Sequence, residues 1–251
     1  MIINEVITMR LSKSKILMFE QCPYRYLRTI IGNWKPPIVP PQLKKGIEVH
    51  RHIENVTKDS KTIKEVHEKI KKVAMPQDQV MDIVNFFNWQ KKRKLPLYVE
   101  GRFFEEELNY SGVVDRVEID ENGKLIMIDY KTGKRQWYPS GKLKWPKYRF
   151  ELAMYTYLFE KNHNQQIDRW GIYFTTKDKY VDEPVSREEI RKAVQRVIDN
   201  RKRIYEATKN KNWPKKPTPL CDYCELFQNK ECDCGGGKMQ DEFDQEGKLV
   251  L

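Results

Sequence analysis

The chain has 251 residues, 33% charged, 39% hydrophobic and 12% aromatic, with a mean hydropathy of −0.78, which supports one good-sized core and excludes a wholly disordered polymer. No stretch is apolar for the length of a bilayer, and an amino terminus interrupted by Glu5 and Arg10 lacks a signal-peptide layout, so a cytoplasmic protein that does not enter a membrane is expected. The formal charge of +11, from 47 Lys and Arg against 36 Asp and Glu, favours a polyanionic partner, of which nucleic acid is the commonest.

Residues 11–31 read as a helix or a pair of short helices, with Ser12 or Ser14 as the cap, Ile16, Leu17 and Phe19 as an apolar face, and Cys22-Pro23 as a break. A proline-rich connector follows at residues 36–41. A second helix starts at Gln42 and sets Gly46 and His50 one turn apart on one face, where the glycine admits close packing and the imidazole points at whatever lies beneath. Residues 60–94 are heavily charged and read as an insert-like helical region, with Val80, Ile83, Val84 and Phe87 on one side; it could contact a nucleic-acid backbone or simply be solvated.

Residues 97–108 read as a strand leading into a hairpin, with Glu100 near its start, and pattern alone does not place that carboxylate. The hairpin pairs residues 113–120 with 124–131 around Glu121-Asn122-Gly123. A three-residue loop with a left-handed Gly123 pairs Asp120 with Lys124 and sets Asp115 opposite Asp129, whereas a two-residue Asn-Gly turn would slip the register and part the two carboxylates. Lys131 shares the face of Asp129. Alternating acids and lysines are common on solvated hairpins. Asp129 differs because it ends the apolar run Leu125-Ile126-Met127-Ile128, where a carboxylate is costly unless paired or bound to metal.

Beyond Lys131 a loop interleaves Lys134, Arg135, Trp137 and Tyr138, a combination that suits a nucleic-acid strand. Residues 145–161 form an amphipathic helix with Glu151 and Tyr155 one turn apart, 169–175 a further strand, and Ser186-Arg187-Glu188-Glu189 a capping box that opens a long helix. The expected fold class is α/β, a mixed sheet flanked by helices. Four of the five cysteines, Cys221, Cys224, Cys232 and Cys234, fall within fourteen residues, a metal-ligand spacing. They could bind one zinc ion together, or Cys22 could join Cys221, Cys224 and either Cys232 or Cys234 around an iron–sulfur cluster.

In order along the chain, Cys22-Pro23, Gly46-x-x-x-His50, Gly112-x-x-Asp115, the run from Ile128 to Gly133, Glu151-x-x-x-Tyr155 and the terminal cysteines resemble the motifs of RecB-type PD-(D/E)XK nucleases of the iron–sulfur group, the AddB-like and CRISPR-adaptation exonucleases. The resemblance covers residues 11–234 and implies a restriction-endonuclease-like core whose ends are joined by a cysteine-ligated cluster. Residues 1–234 would then be a single nuclease domain and 235–251 a flexible acidic tail, open to a protein partner. It also implies Mg2+ or Mn2+ held by His50, Asp115, Asp129 and the main-chain carbonyl of Tyr130, with Asp115, Asp129 and Lys131 catalytic. A [4Fe-4S] cluster is implied on Cys22, Cys221, Cys224 and Cys232, with Cys234 as the competing fourth ligand and Zn2+ as the alternative occupant. Glu151, where the family usually carries glutamine, and Tyr155 would contact DNA or brace the site, with Lys134, Arg135 and Trp137 nearby. The implied function is a metal-dependent DNA exonuclease, open also to endonuclease activity, that acts on single strands or ends, 5′→3′, in recombination, repair, replication or CRISPR adaptation. The alternative is an inactive nuclease-like module that binds DNA or docks a partner.

Overall fold

The computed structural model describes residues 8–36, 48–53, 55, 62–72, 76–132, 143 and 145–234. Gly46, Lys134, Arg135, Trp137, the connector residues 37–41 and the tail from residue 235 lie outside these described residues. The chain divides into two compact units, Pro40–Arg196 and Met1–Val39 with Val197–Leu251.

The larger unit is built on a five-stranded sheet in the order β1-β2-β3-β4-β5, formed by Tyr98–Glu105, Tyr110–Ile119, Leu125–Lys131, Arg169–Phe174 and Lys179–Pro184. Only β3 and β4 run parallel, so the sheet is mixed. A parallel pair needs a long crossover. The helix Pro146–His163 lies between β3 and β4 in the chain and supplies it.

Strand alternation divides the side chains of β3 between two helical layers. Ile126, Ile128 and Tyr130 face the helices Ile63–Lys71 and Gln77–Lys91 and the helical residues 48–53, in a core with Val49, Ile53, Val66, Ile70, Ile83, Phe86, Phe87 and Trp89. Trp89 stacks on Tyr173 at 4.3 Å, and Phe86 meets Tyr130 edge-on at 4.7 Å. Each large apolar side chain buried this way contributes about 1.5–3 kcal/mol. The charged stretch read as insert-like thus supplies a layer of the core; its lysines and glutamates lie on the outer face, while Asp82 is buried and accepts from Thr175 Oγ1 and Thr176 Oγ1, both at 2.8 Å. Met127, Asp129 and Lys131 face the crossover helix instead, where Trp170 Nε1 donates to Thr156 Oγ1 (2.7 Å).

Two boundaries differ from the sequence reading. The first strand ends at Glu105, because residues 106–109 turn and the Glu105 carboxylate accepts from the backbone N–H of Glu107 (3.2 Å) and Leu108 (2.7 Å). β5 is a strand that the sequence reading omits, an edge ribbon whose register pairs Tyr173 with Tyr180 and Ile172 with Val181.

In the smaller unit, Cys22 adopts extended geometry (φ −158°, ψ 104°) and ends the helix Lys13–Gln21, while Pro23 opens the next, Pro23–Tyr26, at a position where its missing N–H costs nothing. Phe19 meets Tyr26 edge-on (5.5 Å, 80°), and Tyr26 stacks on Trp213 (6.1 Å, 12°). Asn200 Nδ2 donates to Glu20 Oε1 (2.8 Å). Among the described residues no helix is long and apolar enough to cross a membrane.

Candidate active site

β2 and β3 pair in the register Arg116 to Ile128, Val117 to Met127, Glu118 to Ile126 and Ile119 to Leu125. The loop between them has three residues. Asp120 N donates to Lys124 O (2.9 Å), Gly123 N donates to Asp120 O (3.2 Å), and Gly123 is left-handed at φ 78°. Asp120 Oδ1 also accepts from the backbone N–H of Asn122 and of Lys124, both at 2.8 Å. One step beyond Arg116 and Ile128, this register sets Asp115 against Asp129.

β1 adds a third acid. Val99 pairs with Arg116 and Gly101 with Val114, so Glu100 between them stands at the level of Asp115. Its φ of 50° is a left-handed value inside a strand, a strain of order 1–3 kcal/mol of the kind that collects at functional sites. Glu100, Asp115 and Asp129 therefore form a row across three strands. His50 Nδ1 lies 4.0 Å from Asp115 Oδ1, and the ligand atoms of His50, Glu100 and Asp115 are all within 4.8 Å of one another. Tyr130 turns its ring to the far layer, so only its backbone serves the row, and its N–H donates to Asp115 Oδ2 (2.7 Å).

Lys131 closes the other end. Its Nζ donates to Glu151 Oε2 (2.9 Å) and lies 2.6 Å from Asp129 Oδ2. That second approach is outside hydrogen-bond geometry, so Asp129 Oδ2 is buried beside a charge without an aligned donor. Tyr155 OH donates to the other oxygen of Glu151 (3.1 Å). Gly112 makes room for this helix, since a Cβ there would sit 2.8 Å from the Tyr155 ring.

Burial dominates the electrostatics of the row. It pushes the Asp115 carboxyl up to about 7, against the pull of Lys131 and the Tyr130 N–H. Asp129 is raised by burial as well, with Glu151 and Asp115 adding to the effect and Lys131 opposing it. Burial alone would lower Lys131, but Asp129, Glu151 and Asp115 outweigh it and hold the ammonium above its ordinary range. Burial, then the charge of Glu151, raises the Tyr155 hydroxyl.

Residues 10–228 match the sequence profile of the PD-(D/E)XK nuclease superfamily. The chain belongs to this superfamily. A crystal structure of a candidate exonuclease from Eubacterium rectale shares the fold, with a TM-score of 0.55 at 13% identity over 88% of both chains. A second crystal structure, of SSO0001, covers 90% of this chain and 92% of its own at 16% identity and a TM-score of 0.42. No curated protein matches the sequence.

PD-(D/E)XK nucleases generally use divalent metal ions, and the acid row fits one. Its donors are carboxylate oxygens with one imidazole, a set that suits Mg2+ and, through the imidazole, leans toward Mn2+. The ligand atoms that gather are those of His50, Glu100 and Asp115, while Asp129 Oδ2 stands outside that group, 2.6 Å from the Lys131 ammonium. Glu100 is the donor that sequence reasoning left unplaced. Its reach follows from the β1 to β2 register, which the four-residue turn at 106–109 sets.

The cysteines lie in the smaller unit. Arg25 forks onto Glu225 through Nε and Nη2, both at 2.9 Å. Tyr24 OH donates to Glu231 O (3.3 Å), and Arg28 pairs with the Glu231 carboxylate. These contacts tie the stretch after Cys22 to the residues that follow Cys224 and precede Cys232. Cys232 and Cys234, with Asp233, bring ligand atoms within 4.8 Å of one another. Among the described residues, Cys22, Cys221 and Cys224 are not drawn into so tight a group. Burial raises the Cys224 thiol, and burial followed by the neighbouring Cys232 raises that of Cys234. A thiophilic metal would displace those protons, and the donor set fits one.

Proposed function

We propose that the chain is a metal-dependent DNA exonuclease that hydrolyses phosphodiester bonds of single strands or strand ends. The carrying observation is the row Glu100, Asp115 and Asp129, with His50 near one end and the Lys131 ammonium at the other. His50, Asp115, Asp129 and the Tyr130 carbonyl would hold Mg2+ or Mn2+, with Glu100 as an added carboxylate. When bound, the ion polarises the scissile phosphate and lowers the pKa of a bound water.

Lys131 is kept charged by two carboxylates, so it has no lone pair with which to take a proton. Its role is to donate to a phosphate oxygen as negative charge builds there, and to orient the water whose oxygen bonds to phosphorus as the P–O bond to the sugar breaks. Glu151 fixes the direction of that donor. It also accepts the hydrogen bond of the Tyr155 hydroxyl, which makes Tyr155 a brace rather than a phosphate donor.

Cys22, Cys221, Cys224 and Cys232, or Cys234 in place of the last, would hold a [4Fe-4S] cluster as a structural clamp without redox work. Digestion 5′→3′ is the polarity that the iron–sulfur resemblance favours. The test is cleavage of single-stranded DNA labelled at either end, with Mn2+, Mg2+ or EDTA. Asp129→Ala and Lys131→Ala are each expected to cut activity by at least about 100-fold with the fold retained. Full activity in both would sink the assignment, and salt-dependent binding without cleavage under any divalent ion would select a binding module instead.

A further inference from the structure

The helix Gln77–Lys91 turns one stripe toward the sheet, with Asp82, Asn85, Phe86 and Trp89 at intervals of three, one and three residues. Phe86 covers Tyr130 and Trp89 covers Tyr173. The start of the same stripe is polar. Asp82 is fully buried, and a carboxylate on the inner face of a core helix is costly unless specific partners use it.

Asp82 and Asn85 converge on one residue, Thr175, the first after β4. Asp82 Oδ1 accepts from Thr175 Oγ1 and from Thr176 Oγ1, both at 2.8 Å, and Asn85 Nδ2 donates to Thr175 O (2.9 Å). Thr175 is fully buried and is held by side chain and main chain at once. The second oxygen of Asp82 makes no hydrogen bond, so the carboxylate acts through the two hydroxyls alone.

Thr175 borders the catalytic lysine. Lys131 is the last residue of β3 and pairs in parallel register with Phe174, the residue before Thr175. Thr175 Oγ1 also reaches Lys131 O at 3.4 Å, the long arm of a hydrogen shared with Asp82.

We propose that Asp82, Asn85 and Thr175 are positioning residues for Lys131, fixing the backbone that carries the ammonium from the far layer of the sheet without touching the substrate. The inference rests on the nuclease reading for the reaction and goes beyond it by placing part of the lysine's aim on a helix of the opposite layer. Asp129 and Glu151 hold the ammonium at one end of the side chain, and the three residues hold its peptide at the other. A donor that must meet a phosphate oxygen needs both, because a misplacement of about 1 Å costs about 100-fold in rate.

Thr175→Val keeps the shape of the side chain and removes the hydroxyl, whereas Thr175→Ser keeps the hydroxyl. With Mn2+ and single-stranded DNA, Thr175→Val is expected to lower kcat about tenfold and to leave KM within about twofold, while Thr175→Ser keeps most of the activity. In a Lys131→Ala background the same Thr175→Val change should cost less than about twofold. A second readout needs no catalysis. In EDTA, the 15N–1H NMR signal of the Lys131 ammonium, identified by its loss in Lys131→Ala, should shift and broaden in Thr175→Val and in Asp82→Ala and stay in place in Thr175→Ser. A signal unmoved in Thr175→Val, or moved as far in Thr175→Ser, overturns the proposal. So does a Thr175→Val loss as large without Lys131 as with it. If the signal follows these changes but the natural chain never cleaves DNA with Mn2+, the positioning stands and the nuclease reading falls.

Discussion

Replacing Asp115 by Asn removes a carboxyl whose folded-state pKa is raised from 3.8 to about 7, chiefly by burial. A raised carboxyl favours the folded state while it is protonated. Its contribution is fully present below the unfolded value and is lost as pH rises through the folded one. The gap corresponds to about 4 kcal/mol, of which about 3 kcal/mol is lost between about pH 4.5 and about pH 8. In EDTA, therefore, the natural chain should lose about 3 kcal/mol more than Asp115→Asn across that range, and at about pH 8 the variant should be the more stable of the two. A divalent ion neutralises the ionised row, so Mn2+ should restore the natural chain at about pH 8 and leave Asp115→Asn nearly unmoved. Urea unfolding at both pH values, with EDTA and with Mn2+, supplies the four comparisons. Parallel pH profiles for the two proteins, or equal stabilisation of both by Mn2+, would refute the placement of a strained, metal-relieved carboxyl at this position.

Gly112→Ala should cost about 1–3 kcal/mol in urea unfolding, because the added methyl would sit 2.8 Å from the Tyr155 ring. It should also lower cleavage by displacing the helix that carries Glu151. Glu100→Gln should weaken Mn2+ binding about tenfold in calorimetry while the strand persists, and an unchanged affinity would remove Glu100 from the ligand set. Anaerobically purified protein should be brown, and Cys224→Ser should lose that colour and the associated visible absorption; a colourless protein containing zinc would replace the cluster with Zn2+.

The acid hairpin was legible in the sequence because its determinants are local. Turn chemistry fixes loop length, loop length fixes register, and strand alternation then fixes which face each carboxylate takes. Glu151 and Tyr155 were legible as a one-turn pair on a helix. Glu100 was not, because its partner lies across a turn whose length pattern does not reveal, and because its own backbone is left-handed where a strand pattern implies extended geometry. β5 escaped because KYVDEP offers only Tyr180 and Val181 as apolar residues and takes its strand geometry from pairing with β4. The stretch at residues 63–91 was legible as helical, with Val80, Ile83, Val84 and Phe87 on one side, but its charge disguised a layer of the core as an insert. The tie between the stretch after Cys22 and the terminal segment depends on contacts such as Arg25 with Glu225, two hundred positions apart, which no local pattern encodes.

The turn at Asp120 has one more consequence, which concerns folding rather than chemistry. Asn122-Gly123 alone could nucleate a tighter hairpin, one residue out of step, with every side chain of β3 rotated to the wrong layer. Asp120 Oδ1 biases the choice, because its bonds to the N–H groups of Asn122 and Lys124 close the longer loop. A half-buried residue that touches no donor of the acid row therefore arbitrates between two competing topologies. Loss of that arbitration would split the molecules into a competent and an incompetent population, so the active fraction would fall while each competent molecule kept its full turnover.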